Sequence, residues 1–150
     1  MTFKRLVLYV LGVSTLAAVI GLYVLPDQPE PVVPISQKWA RSPHAAADSE
    51  SFTRWDEDDP PQIPVQCAKC HSSFGYRDFL GVDGTVAGTV DQAAKTGTTV
   101  NCSACHNPGA HEMTQVAFPS GAEIGGLGSS ATCMQCHQGR TATGDVEEAT

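Results

Sequence analysis

The sequence predicts a mostly irregular domain of short α-helices and one small β-hairpin, preceded by an N-terminal membrane helix. Three observations predict it. A run of 20 residues without a charge, Leu6 to Leu25, follows Lys4 and Arg5. Downstream, Gly, Thr, Ala and Ser abound and long amphipathic stretches are few, so large aliphatic side chains are too scarce to fill an ordinary core. Finally, all six cysteines fall into three copies of one five-residue pattern: Cys67-Ala-Lys-Cys70-His71, Cys102-Ser-Ala-Cys105-His106 and Cys133-Met-Gln-Cys136-His137.

In chain order, Leu6 to Leu25 is long enough to cross a bilayer as a helix. The positive charge before it places the N-terminus in the cytoplasm and the remainder outside. The run closes Gly-Leu-Tyr-Val-Leu-Pro, bulky where a cleavage site would be small-x-small. Residues 1–25 are therefore expected to be an uncleaved anchor in the inner (cytoplasmic) membrane, with the following domain in the periplasm or outside the cell. A cleaved signal peptide is the alternative and would leave the domain periplasmic or secreted; either reading exports the cysteines. Residues 26–35 contain four prolines and read as a stiff spacer. Residues 36–150 form the domain. Within it, Asp56-Glu57-Asp58-Asp59-Pro60-Pro61 reads as a solvated acidic loop in preference to a cation site or a docking patch for a basic partner.

From residue 31 onward there are seven Lys/Arg against fourteen Asp/Glu, a formal charge of −7. That balance argues against nucleic-acid binding and calls for a basic face on any soluble partner.

The repeated pattern is the attachment signature of c-type haem. Two thiols one helical turn apart reach the two vinyl groups of one porphyrin, and the adjacent histidine lies under the iron as its proximal ligand. A disulfide framework would not need a histidine after every second cysteine, and a thioredoxin-type motif would occur once, near a βαβ pattern that is missing here. Structural zinc usually combines two Cys/His half-sites and does not repeat a Cys-Cys-His triplet. Three covalent haems are expected, on Cys67/Cys70, Cys102/Cys105 and Cys133/Cys136, with His71, His106 and His137 on the irons. Each porphyrin is a rigid apolar plate, so the fold is expected to be templated by haem and unfolded without it.

Between the motifs, residues 81–100 have turn residues every few positions. Thr114–Phe118 and Ala122–Ile124, separated by Pro119-Ser120-Gly121, read as the hairpin. Ser129 or Ser130 would cap the helix carrying Cys133 to His137. Gly125-Gly126-Leu127-Gly128 has no βαβ unit around it and reads as room for a porphyrin edge, not as a phosphate loop. Trp39, Trp55, Phe74, Tyr76, Phe79 and Phe118 read as packing around haem, with ordinary core as the plainer option.

With its motifs and with Lys38-Trp39-Ala40-Arg41-Ser42-Pro43-His44-Ala45 and Cys133-Met134-Gln135-Cys136-His137-Gln138-Gly139-Arg140, the chain resembles the multihaem c-type cytochromes over about residues 36 to 140. The resemblance implies electron transfer through closely stacked haems, with histidines distant in sequence closing the sixth coordination sites. His44 resembles the upstream distal ligand of that family. His111 lies five residues after His106. At most about 18 Å of extended chain cannot round a macrocycle, so His111 is expected on a neighbouring haem.

One iron is then left without a second histidine. Met113 could supply a thioether, better than Met134, which lies inside its own motif; the site could be open to a small molecule; or another chain could supply the ligand through self-association. A continuation past Thr150 is the fourth option, because Asp145–Ala149 begins a helix without an end signal. The expected function is an electron relay between a membrane donor and a periplasmic or extracellular acceptor, without catalytic residues. The alternatives are a reductase of a small nitrogen or sulfur oxyanion at an open haem, and an anchored quinol-oxidising cytochrome. The last is less natural across the 41 residues from Pro26 to Gln66.

Overall fold

The computed structural model describes residues 33–149. The expected membrane helix and most of the proline spacer lie outside the described residues, among which no helix is long and apolar enough to cross a membrane. The compact unit that begins at Ile35 contains all three motifs.

Helix α1 (Ile35–Ala40) leads into a 3₁₀ turn, Pro43–Ala45, and then α2 (Glu50–Thr53), strand β1 (Gln62–Ile63) and α3 (Val65–His71). After α4 (Ser73–Phe79) and a long loop come β2 (Ala94–Lys95), α5 (Cys102–Cys105) and α6 (Pro108–Glu112). The chain closes with β3 (Val116–Ala117), β4 (Glu123–Ile124), α7 (Ser130–Met134) and α8 (Thr143–Glu148).

The segments read as hairpin arms contain β3 and β4, which pair antiparallel with Val116 opposite Ile124 and Ala117 opposite Glu123. The turn-rich stretch also contributes a strand: β2 pairs antiparallel with β1, Ile63 facing Ala94. Burial explains that pairing. Ile63 is fully buried in a cluster with Trp55, Ala68 and Ala94, and two residues suffice for a strand when one side chain has an apolar pocket to enter. A second cluster joins Tyr76, Leu80, Ala104 and Ala110, flanked by Phe79, Val82, Val100 and Met113. Both are small, in keeping with the scarcity of large aliphatics.

Helices α3 and α4 meet at a corner made by one residue. Ser72 is extended (φ −150, ψ 138), and its hydroxyl accepts hydrogen bonds from the backbone N–H groups of Phe74 and Gly75, which satisfies two donors at the start of α4. Gly75 lies directly on Ala68, whose carbonyl and methyl occupy the space a Cβ would need. The loop after α4 is closed by a buried carboxylate: Asp78 accepts from Thr85 Oγ1 at 3.2 Å, from the Asp91 N–H at 3.1 Å and from the Gln92 N–H at 3.4 Å. Two backbone donors, with a hydroxyl shared with Asp83 Oδ1 at 2.8 Å, satisfy this buried carboxyl in the manner burial requires.

One local expectation needs correction. Ser129 stands before α7 but makes no capping bond; its backbone is already helical (φ −63, ψ −15), whereas a capping side chain needs an extended one. Gly126 and Gly128 sit at φ +72 and +52, a backbone conformation that favours glycine, with open space where a Cβ would be. Among the aromatics, Trp55 and Tyr76 are buried and Phe74 is 56% exposed.

Candidate functional site

Cys67, Cys70 and His71 all lie on α3, whose start is organised by Pro64: its carbonyl accepts from the Cys67 and Ala68 N–H groups at 2.8 and 2.9 Å. The His71 ring is fixed on two sides. Its Nδ1 lies 2.8 Å from the Ser51 carbonyl oxygen, and the Trp55 ring approaches edge-on at 5.3 Å between centroids. A ring nitrogen held by a carbonyl must carry its proton, which leaves Nε2 as the lone-pair donor.

The second motif is held by asparagines. Asn101 precedes α5, and its Oδ1 accepts from the Ser103 N–H at 2.9 Å. Asn107 follows His106; its Nδ2 donates to the carbonyls of Ser103 and Ala104, each at 2.9 Å, while its Oδ1 accepts from the Ala110 N–H at 2.9 Å. One side chain thereby closes the end of α5 and opens α6. Cys102, Cys105 and His106 are exposed. A link runs from this motif to the first: the Ser73 hydroxyl donates to the Thr99 carbonyl at 2.8 Å and accepts from the Asn101 N–H at 2.7 Å.

The third motif packs directly on the first. Cys70 Sγ lies 4.0 Å from the Gln135 carbonyl oxygen, Cys136 Sγ lies 3.6 Å from that of Lys69, and Lys69 Nζ reaches Gln135 Oε1 at 3.5 Å. The two thiols influence each other's ionisation across this contact. The neighbouring Cys136, against the effect of burial and with help from Lys69 and Arg140, brings the Cys70 thiol down to about 7, while Cys70 and burial push Cys136 upward. Burial, then the neighbouring Cys133 and Cys102, raises Cys105. Tyr76 Oη donates to the Thr132 carbonyl at 3.2 Å, and Thr132 Oγ1 donates to the Ala110 carbonyl at 3.2 Å, so the third motif is also tied to α4 and α6.

Two cavities open beside these helices. One of about 600 Å³ is bordered by Cys67, His71, Trp55, Arg54 and Arg140. The other, about 330 Å³, collects Cys70 and His71 from the first motif, Cys105 from the second, Cys133, Cys136 and His137 from the third, and His44. Pro43, Phe52, Val100 and Ala104 give it apolar walls. His111 is exposed on α6 and borders neither cavity. Met113 packs against the second core cluster, its Sδ lying 3.9 Å from Tyr76 Oη.

The donor set fits a porphyrin better than a bare ion. Among the described residues no three His, Cys, Asp or Glu side chains converge to hold a metal, whereas structural zinc needs four. A porphyrin brings its own equatorial nitrogens and asks the chain only for thiols, an axial donor and an apolar wall. All six cysteines are free thiols, paired one helical turn apart.

The residues that hold the site together were not singled out by sequence reasoning. Ser51, Ser72, Ser73, Asn101 and Asn107 act mainly through backbone groups, and such residues look like ordinary loop. The available signal was positional: Asn or Ser stands immediately before Cys102 and immediately after His71 and His106. Comparison of the chain with protein-family models, with curated proteins and with solved structures finds no match in any of the three.

Proposed function

We propose that the domain carries three covalent c-type haems, on Cys67/Cys70, Cys102/Cys105 and Cys133/Cys136, and relays electrons outside the cytoplasm between a membrane donor and a periplasmic or extracellular acceptor. The observation that supports it most is the gathering of cysteines and histidines from all three motifs around one apolar cavity. Bound haem supplies one-electron chemistry at iron.

The chain's part is to fix and insulate. Ser51 and Trp55 orient His71 with its Nε2 free, and a histidine held this way is a stronger donor than a freely rotating one. Lys69, Cys70, Gln135 and Cys136 hold the first and third motifs at contact distance, which favours rapid exchange between their cofactors. Apolar walls limit water and so influence potential. In this reading the N-terminal run anchors the domain to the membrane, and the acidic exported part meets a redox partner through a basic face.

Denaturing mass spectrometry of the protein from a host with haem-attachment machinery tests the reading. The expected mass is that of the polypeptide plus three haems, with no alkylatable thiol. A colourless protein with six reactive thiols or bound zinc overturns it.

A further inference from the structure

His44 and His137 are 93 positions apart in the chain, yet their ring centroids lie 5.9 Å apart with planes at 65°. We infer that these two imidazoles are the opposite axial ligands of one iron, that of the haem on Cys133/Cys136.

The spacing carries the inference. An iron–imidazole bond is taken to be close to the zinc–imidazole bond of about 2.0–2.1 Å. Each ligating nitrogen is about 1.1 Å from the centre of its five-membered ring, given ring bonds near the ~1.33 Å amide C–N length. Two imidazoles joined linearly through one metal therefore have centroids about 6.3 Å apart. The observed 5.9 Å is within half an ångström of that. Linear ligation leaves each ring free to rotate about the bond axis, so an angle of 65° is compatible with it.

The surroundings point the same way. Both histidines are exposed, so neither ring is placed by burial in a packed core. Both border the apolar cavity that also has Cys133 and Cys136 on its wall. Nor does His44 sit on a loose strand of chain. Pro43 opens its 3₁₀ turn, the Ser42 hydroxyl donates to the Trp39 carbonyl at 2.7 Å, and Trp39 Nε1 donates to the Val100 carbonyl at 2.9 Å. Val100 borders the same cavity. Trp39 is thus a positioning residue, fastening the segment before the first motif to the chain entering the second so that His44 faces His137.

The assignment rests on the haem reading above and locates the shortage of histidines. The third haem need not lack a second histidine; the shortage moves to the irons of His71 and His106, with His111 the one histidine outside the motifs still unassigned.

The test uses the full haem-loaded chain. His44→Ala should leave three covalent haems but convert one from low-spin to high-spin in its visible and paramagnetic-resonance spectra. In a Cys133→Ala/Cys136→Ala chain, which carries two haems, adding His44→Ala should change nothing further. His44→Met in the three-haem chain should raise the potential of one haem, as a thioether ligand does. Three haems with unchanged spectra and potentials, or a spin change that persists without the third haem, overturns the pairing alone. A colourless chain overturns both the pairing and the haem reading.

Discussion

The first and second motifs share a pattern but hold their histidines differently. Around His71 the protein has built a socket: a seven-residue helix, a buried indole, a carbonyl on Nδ1 and a core cluster behind Ala68. Around His106 it offers a four-residue helix with both cysteines and the histidine exposed, held by two asparagine side chains. The contrast teaches that the same five residues need not be equally prepared to receive a ligand. The first histidine is held by tertiary packing, whereas the second stays exposed on a helix capped from within a few residues, with Ala104 between its cysteines buried in the second cluster.

Breaking the socket should have the largest effect. Trp55→Ala removes a buried aromatic from the first cluster and the neighbour of the His71 ring, and should cost about 3–5 kcal/mol, read as a lowered urea midpoint. Asn107→Ala should cost about 1–2 kcal/mol, with the change confined to the second motif when amide exchange is followed. If Asn107→Ala were as costly as Trp55→Ala, the distinction between a packed and an exposed histidine would fail.

The smallest effect sharpens the comparison from the third side. Tyr76→Phe removes the hydrogen bond to the Thr132 carbonyl and should cost about 1 kcal/mol near neutral pH. Burial holds the Tyr76 phenol well above its ordinary value of 10.0. The folded protein therefore keeps a proton that the unfolded chain releases. This contribution to stability is complete below pH 10.0 and declines as pH rises beyond it. Thermal melts across the alkaline range should show that decline, and Tyr76→Phe should flatten it. An unchanged alkaline slope would remove Tyr76 from the link between α4 and the third motif.

Much of the candidate site can be read from the chain because C-x-x-C-H is a local pattern, and short helices do begin at or before each cysteine pair. The hairpin arms are also local, set by alternation about Pro119-Ser120-Gly121. What escaped is non-local and polar. Asp78 looks like any surface acid until its partners, Thr85 and the N–H groups of Asp91 and Gln92, fold back onto it. Ser73 bridging Thr99 and Asn101 leaves no hydrophobic period to detect. The β1–β2 pair escaped because Ala94 lies among turn residues and acquires a role only when Ile63 and Trp55 arrive. His44 could be picked out as a ligand candidate, but its meeting with His137 depends on the Trp39 indole finding a carbonyl 61 residues away.

The reciprocal contact between Lys69-Cys70 and Gln135-Cys136 has a consequence for how such a domain can be taken apart. The middle motif lies between these two in the chain, but the outer two touch in space across 65 to 67 residues. The domain is therefore not a string of interchangeable beads. Removing the last repeat would strip one wall from the first, and inserting a fourth between them would have to leave that closure intact. Recombination can lengthen this chain at its ends more readily than it can edit its interior.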